Sequence, residues 1–264
     1  MKNTARLIDG RAVAEAWRED IREQMIALGV PLGLAAVCVE GNAGLKSFVR
    51  LKEKAARDVG IQFSSYFIDP CDEAGARQTV QFLVGDESTD GIFIELPLPG
   101  DWNADGICSL IPPEKDVDAL TKHPMVAAPA VLALQRALSS YEVDVRGIRA
   151  AVVGHGRLVG GPVASWLRAS GADVELIDID TPEPATIAQR ADLIVTGAGK
   201  PGLVTGDWVK DGAIVIDFGY ADGAGDVDVD SVKQKAGVLS PVPGGMGPLV
   251  ITAVLENLLT LAMR

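Results

Sequence analysis

Histidine and cysteine are scarce in this chain. Its two histidines, His123 and His155, and its three cysteines, Cys38, Cys71 and Cys108, stand far apart in 264 residues. No group of them has the ligand spacing of a zinc site, so no metal centre is expected. Scattered cysteines in odd number argue against a disulfide framework and for a reducing, cytoplasmic setting. No run of about 18 uninterrupted apolar residues occurs, which argues against a membrane span. The opening MKNTARLIDG has no apolar signal-peptide core. Basic residues are in deficit too: 24 Lys and Arg against 36 Asp and Glu leave a net charge of −12. That balance disfavours nonspecific binding to nucleic acid or to an anionic membrane. No internal repeat or low-complexity segment is evident.

What is present is alternation. Residues 11–28 carry apolar positions at helical spacing, and LAAVCV at 34–39 reads as a buried strand. A Gly/Asn turn follows, then a helix through KSFVRLKEKAA that stops near Gly60. IQFSSYFI reads as a strand, 72–84 as a helix, and GIFIELPLP as a strand ending in prolines. Residues 122–149 look like a connection holding one helix. From 150 a second series begins: AAVVGHGRLVGGPVASWLRASG as strand, glycine-rich turn and helix, then the strands DVELIDID, ADLIVTGAG and GAIVIDFG, with a short helical segment between the last two. SPVPGGMGP feeds a final apolar helix. Strands alternating with helices imply βαβ units and parallel sheets. The fold class expected is α/β, with two domains around a cleft, the second a Rossmann-type doubly wound parallel sheet.

Two places suggest chemistry. Gly154, Gly156 and Gly160 lie between a strand and a helix, where glycines let the backbone turn tightly and approach a pyrophosphate at a helix N-terminus. The spacing departs from G-x-G-x-x-G, because Val159 holds the third small position and Gly160 follows; a plain tight turn is the alternative. Asp178 falls about 20 residues on, where an acid can accept hydrogen bonds from a ribose 2′-hydroxyl and repel a 2′-phosphate. Asp180 adds to that repulsion, and solvated strand-end charge is the alternative for both. In the first half, Lys52 lies one turn after Phe48 on one helix face. By itself it reads as a solvated helix lysine.

With both halves in view, the sequence resembles the bifunctional methylenetetrahydrofolate dehydrogenase/cyclohydrolase family. The resemblance runs through LIDGRAVA, SFVRLKEKAARDVGI, DGIFIELPLP, PPEKDVDAL, VVGHGRLVGGP, ADLIVTGAGKPG, GDWVKDGAIVIDFGY and SPVPGGMGP, in that order. It implies a folate-side catalytic domain over 1–121 plus 248–264 and a dinucleotide-binding domain over 122–247. It implies a homodimer, a tetrahydrofolate-type substrate and a nicotinamide cofactor. The family oxidises 5,10-methylenetetrahydrofolate and then hydrolyses the methenyl product to 10-formyltetrahydrofolate. Lys52 matches the family's catalytic lysine and Asp118 the aspartate that holds the pterin. Leu96, Pro97, Gly247 and Pro248 fall at substrate-side positions. Gly154, His155, Gly156, Arg157, Leu158, Val159, Asp178, Gly197 and Gly199 fall at cofactor-side positions.

The departures from the family pattern cluster near the chemistry. Phe48 stands where the family has tyrosine, Glu95 where it has glutamine, and Ala119 where glycine follows the pterin aspartate. Ala127, Ala128 and Pro129 replace Cys-Thr-Pro; His155 and Gly156 replace arginine and serine; Leu249 and Val250 replace the Met-Thr of the closing loop. With that arginine and serine gone, NAD is expected to be preferred, NADP remaining possible through Arg157 or Arg168. A carboxylate at 95 is expected to pair with Lys52 and make it a poorer base, or to take over as base itself. Hydrolysis should then suffer more than hydride transfer. Competing readings are the same scaffold acting on another pterin or one-carbon adduct, and a non-catalytic nucleotide-binding protein.

Overall fold

The structure is a computed structural model that describes residues 4–41 and 43–264. Asn42, in the Gly/Asn turn expected after the first long strand, lies outside the described residues, as do residues 1–3 of the opening segment. The chain divides into two units: residues 4–14 with Ala130–Val250, and Glu15–Pro129 with Ile251–Arg264.

The first unit is built on a parallel sheet of β1 (Arg6–Leu7), β5 (Arg149–Val153), β6 (Asp173–Ile177), β7 (Leu193–Thr196), β8 (Ile214–Asp217) and β9 (Val238–Leu239), in the order β1-β9-β8-β7-β5-β6. Every pair is parallel. The strands are short and β-branched, and β5, β7 and β8 are almost wholly buried, as a sheet covered on both faces requires. The helices of this unit are α5 (Pro129–Ser140), α6 (Gly160–Ala169), α7 (Pro184–Ala188) and α8 (Val229–Val232), with a 3-10 turn at Gly206–Trp208. Strand order reverses at β5, flanked by β6 on one side and β7 on the other. In open α/β sheets such a switch point opens the crevice where ligands bind.

The other unit holds a parallel sheet in the order β3-β2-β4, from β2 (Gly33–Val39), β3 (Gln62–Ile68) and β4 (Gly91–Ile94). Central β2 and β4 are buried, while edge strand β3 is largely exposed. The connecting helices are α2 (Ala43–Asp58), α3 (Glu73–Gly85) and α4 (Ala104–Cys108). Two long helices pass between units along the chain: α1 (Gly10–Leu28) and α9 (Met246–Ala262). Within this unit α9 packs on β4; a Cβ on Gly91 would come within 2.6 Å of both Leu258 and Val117.

The N-terminal segment pairs with the nucleotide-side sheet. Residues 4–14 group with the nucleotide-side unit, because β1 adds to the sheet edge: Arg6 and Ile8 N–H groups donate to the Gly237 and Leu239 carbonyls, both at 2.9 Å. The strand expected through GIFIELPLP ends at Ile94, and the one through DVELIDID at Ile177.

Candidate active site

The folate-side candidates come together at the C-terminal ends of β2 and β4. Lys52 lies on α2, whose apolar face covers the sheet, so its side chain points inward; only 8% of the residue is exposed. Its Nζ donates to Oε2 of Glu95 at 2.7 Å and sits 4.2 Å from the ring centre of Phe93. Glu95 follows β4 directly, is also 8% exposed, and its N–H donates to the Val37 carbonyl. The ammonium is thus held between a carboxylate and an aromatic face, both favourable for a cation out of water. Phe48 is half-buried one turn earlier on α2. Leu96 and Pro97 follow Glu95 and are joined to each other by a cis peptide bond. Cys38, on neighbouring β2, feels both charges: burial pushes its thiol up to about 12, Glu95 adds to the rise and Lys52 offsets part of it. It is a neutral packing residue at physiological pH.

Asp118 lies in the loop that follows the bridge between Ile92 and Asp116. Burial pushes its carboxyl up from an ordinary 3.8 to about 6; Lys52 pulls it back down, while Glu95 and Asp116 push it further up. Among the described residues its carboxylate accepts no hydrogen bond. The residue is part-buried, so a carboxylate whose charge its surroundings disfavour still keeps its oxygens open, a ready acceptor for N–H groups. Ala119, next to it, has φ +55°, in the left-handed region that favours glycine.

The nucleotide-side candidates gather at the switch point. Gly154 follows β5 with φ +90°, and its N–H donates to the Ile177 carbonyl at 2.8 Å. Gly160 opens α6 so close to the strand that an added Cβ would lie 1.8 Å from the Gly154 carbonyl oxygen. Gly160 therefore does the helix-packing work that the spacing left unassigned, and Val159 serves differently: its side chain lies where a Cβ on Gly197 would be, at 2.7 Å. The turns 154–159 and 197–199 are in this way adjacent. His155, Gly156, Arg157 and Leu158 are exposed on the first of them. Asp178, just beyond β6, is exposed; the Thr181 hydroxyl and then the Asp180 N–H hold its carboxyl below the usual range, with a smaller contribution from His155. An ionised acid thus faces the same turn.

Gly247 and Pro248 begin α9 and belong to the nucleotide-side unit, whereas Lys52, Glu95 and Asp118 belong to the other. Three buried polar residues belong to no recognisable sequence motif of their own. Asp226 is fully buried and accepts hydrogen bonds from the Thr196 hydroxyl and the N–H groups of Ala198 and Lys200, at 2.7, 2.6 and 2.7 Å, so it shapes the loop bearing Gly197 and Gly199. Asp116 and Asn257 bind backbone near Asp118. Apart from the Thr196 hydroxyl, all three act on main-chain groups, which leave no side-chain pattern; the one available signal is a lone Asn in the apolar run AVLENLLTLA.

Most of the chain matches known proteins. Residues 8–118 match the tetrahydrofolate dehydrogenase/cyclohydrolase catalytic domain, and residues 128–264 match the NAD(P)-binding domain of the same family. The bifunctional protein FolD of Bordetella avium is 36% identical, over 99% of this chain and 98% of its own. That of Staphylococcus aureus is 35% identical over 97% and 96%. The crystal structure of the Trypanosoma brucei methylenetetrahydrofolate dehydrogenase-cyclohydrolase, complexed with NADP and an inhibitor, superposes with a TM-score of 0.94 at 33% identity, covering 99% of this chain and 98% of that one. The chain belongs to the tetrahydrofolate dehydrogenase/cyclohydrolase family and is an NAD(P)-dependent enzyme of that family.

Proposed function

We propose that this protein is a 5,10-methylenetetrahydrofolate dehydrogenase whose cyclohydrolase step is weakened. The observation that carries the reading is the buried Lys52–Glu95 pair at 2.7 Å. An ammonium engaged with a carboxylate has no lone pair with which to activate water, and general-base help is worth about a hundredfold to ten-thousandfold. Phe48 keeps an aromatic wall but supplies no hydroxyl. Oxidation depends instead on placement of the reacting carbons. Asp118 holds the pterin by accepting from its N–H groups, and Leu96 and Pro97 border the folate.

The residues at the switch point fit a dinucleotide. The Gly154–Gly160 contact brings the α6 N-terminus against the turn, leaving backbone N–H groups for a pyrophosphate. A bound nicotinamide supplies the hydride acceptor. Asp178 takes the adenine-side ribose. Because its carboxylate is exposed and ionised, a 2′-phosphate meets repulsion, and NAD is the preferred cofactor by roughly tenfold if about 1.4 kcal/mol survives screening. Asp178→Ser should therefore narrow the gap between the two cofactors.

A homodimer fits the exposed edge of β3, where Phe67 stands 40% exposed beside Phe82 at 63%; light scattering of the purified protein tests it. The main assay follows methylenetetrahydrofolate with NAD and NADP in parallel, and methenyltetrahydrofolate hydrolysis separately. Oxidation with NAD favoured and hydrolysis near the buffer rate is the expected pattern. No oxidation with either cofactor, or equal or better kcat/KM with NADP, contradicts the respective part.

A further inference from the structure

We infer that Asn257 and Asp116 are positioning residues for folate recognition, clamping from two sides the loop that presents Asp118. The inference rests on the reading of Asp118 as the pterin acceptor. Asn257 is 2% exposed on α9, among Val254, Leu255 and Leu258, each at most 1% exposed. An amide in such surroundings is unfavourable unless its N–H groups are paired. Both are paired with backbone: Nδ2 donates to the Val117 carbonyl at 2.8 Å and to the Ala127 carbonyl at 2.9 Å. The first of these acceptors is on the peptide immediately before Asp118. The second lies near the far end of the same stretch, so one side chain ties both ends to the helix.

Asp116 works from inside. It is fully buried, and its two carboxylate oxygens accept from the N–H groups of Leu120 at 3.1 Å and Thr121 at 2.8 Å. The Ile92 N–H donates to the Lys115 carbonyl at 2.7 Å, fixing the loop base to β4. The two aspartates thus divide the work. Asp116 spends its acceptors on the turn, while Asp118, two residues on, keeps its own for a ligand. Between them and the turn the chain must pass through the left-handed conformation of Ala119, a strained geometry that persists only where surrounding bonds over-determine it.

The test is a double-mutant cycle on tetrahydrofolate binding by calorimetry, using Asn257→Leu, Asp118→Asn and the pair, with NAD affinity and dehydrogenase kinetics alongside. A misplaced carboxylate should cost about ten- to a hundredfold in folate affinity and KM, with kcat at saturation and NAD affinity changed far less. Asn257→Gln, which keeps the donors, should recover part of the loss. In the Asp118→Asn background Asn257→Leu should have little further effect. An equal loss with and without Asp118 overturns the positioning role and makes Asn257 merely structural. Unchanged folate affinity in Asp118→Asn alone refutes the underlying reading instead. Should Asn257→Leu fail to fold, Asp116→Asn, which keeps shape and one acceptor, runs the same cycle from the other side of the loop.

Discussion

Asp118→Asn should make the protein more stable while weakening folate recognition, and the gain should depend on pH. Burial raises the Asp118 carboxyl from 3.8 to about 6. A carboxyl that holds its proton about a hundredfold more tightly in the folded chain than in the unfolded one opposes folding, once ionised, by up to about 3 kcal/mol. The sign follows from proton binding. The folded chain is the one that binds the Asp118 proton more tightly, so this contribution is most favourable below about pH 4 and is lost as pH rises through about 6. Near neutral pH the whole unfavourable contribution is present. An asparagine of the same shape removes the charge but brings N–H groups that need partners, so a net gain of about 1–3 kcal/mol is expected. Urea unfolding followed by tryptophan fluorescence, in steps from about pH 4 to pH 8, measures it. The variant should be the more stable near pH 7.5, and the difference should shrink towards zero near pH 4. A destabilised variant, or a gain that does not vary with pH, would refute the claim that Asp118 is a desolvated charge kept for a ligand.

Other outcomes follow from backbone geometry. Ala119 at φ +55° carries a strain of about 1 kcal/mol, so Ala119→Gly should be neutral to stabilising by about 0.5–1 kcal/mol, and Ala119→Val should destabilise by about 2 kcal/mol or more; chemical unfolding checks both. Gly160→Ala would force α6 away from Gly154, where the added Cβ would lie 1.8 Å from a carbonyl oxygen. It should destabilise by about 1–3 kcal/mol and weaken NAD binding in titrations, leaving folate binding intact.

The long elements were legible because burial imprints a period. The spacing in 11–28 became α1, the run LAAVCV became β2, and the apolar tail became α9. The two-residue strands β1 and β9 were not, since they pair through backbone groups alone and are too short to alternate. Missing them left the pairing of the N-terminal segment with the nucleotide-side sheet unforeseen. Helices α4, α7 and α8, at five, five and four residues, are likewise too short for a helical stripe. Within the candidate site, the Lys52–Glu95 pairing followed from the charge of the two residues once the resemblance placed them together. Val159 and Gly160 were harder, because which residue touches the strand depends on where α6 begins. Asp116, Asp226 and Asn257 were invisible for a deeper reason: apart from the Thr196 hydroxyl on Asp226, their partners are peptide groups, identical at every position in the sequence.

The central claim is that the buried carboxylate of Glu95, with a phenylalanine at position 48, takes Lys52 out of water activation while sparing oxidation. The most direct measurement is methenyltetrahydrofolate hydrolysis by the native protein, by Glu95→Gln, and by Glu95→Gln with Phe48→Tyr, each beside its dehydrogenase rate. Hydrolysis near the buffer-catalysed rate in the native protein is expected, rising by about a hundredfold or more in the double variant while oxidation changes far less. Robust hydrolysis by the native protein that disappears in Glu95→Gln would contradict the account and make Glu95 the base.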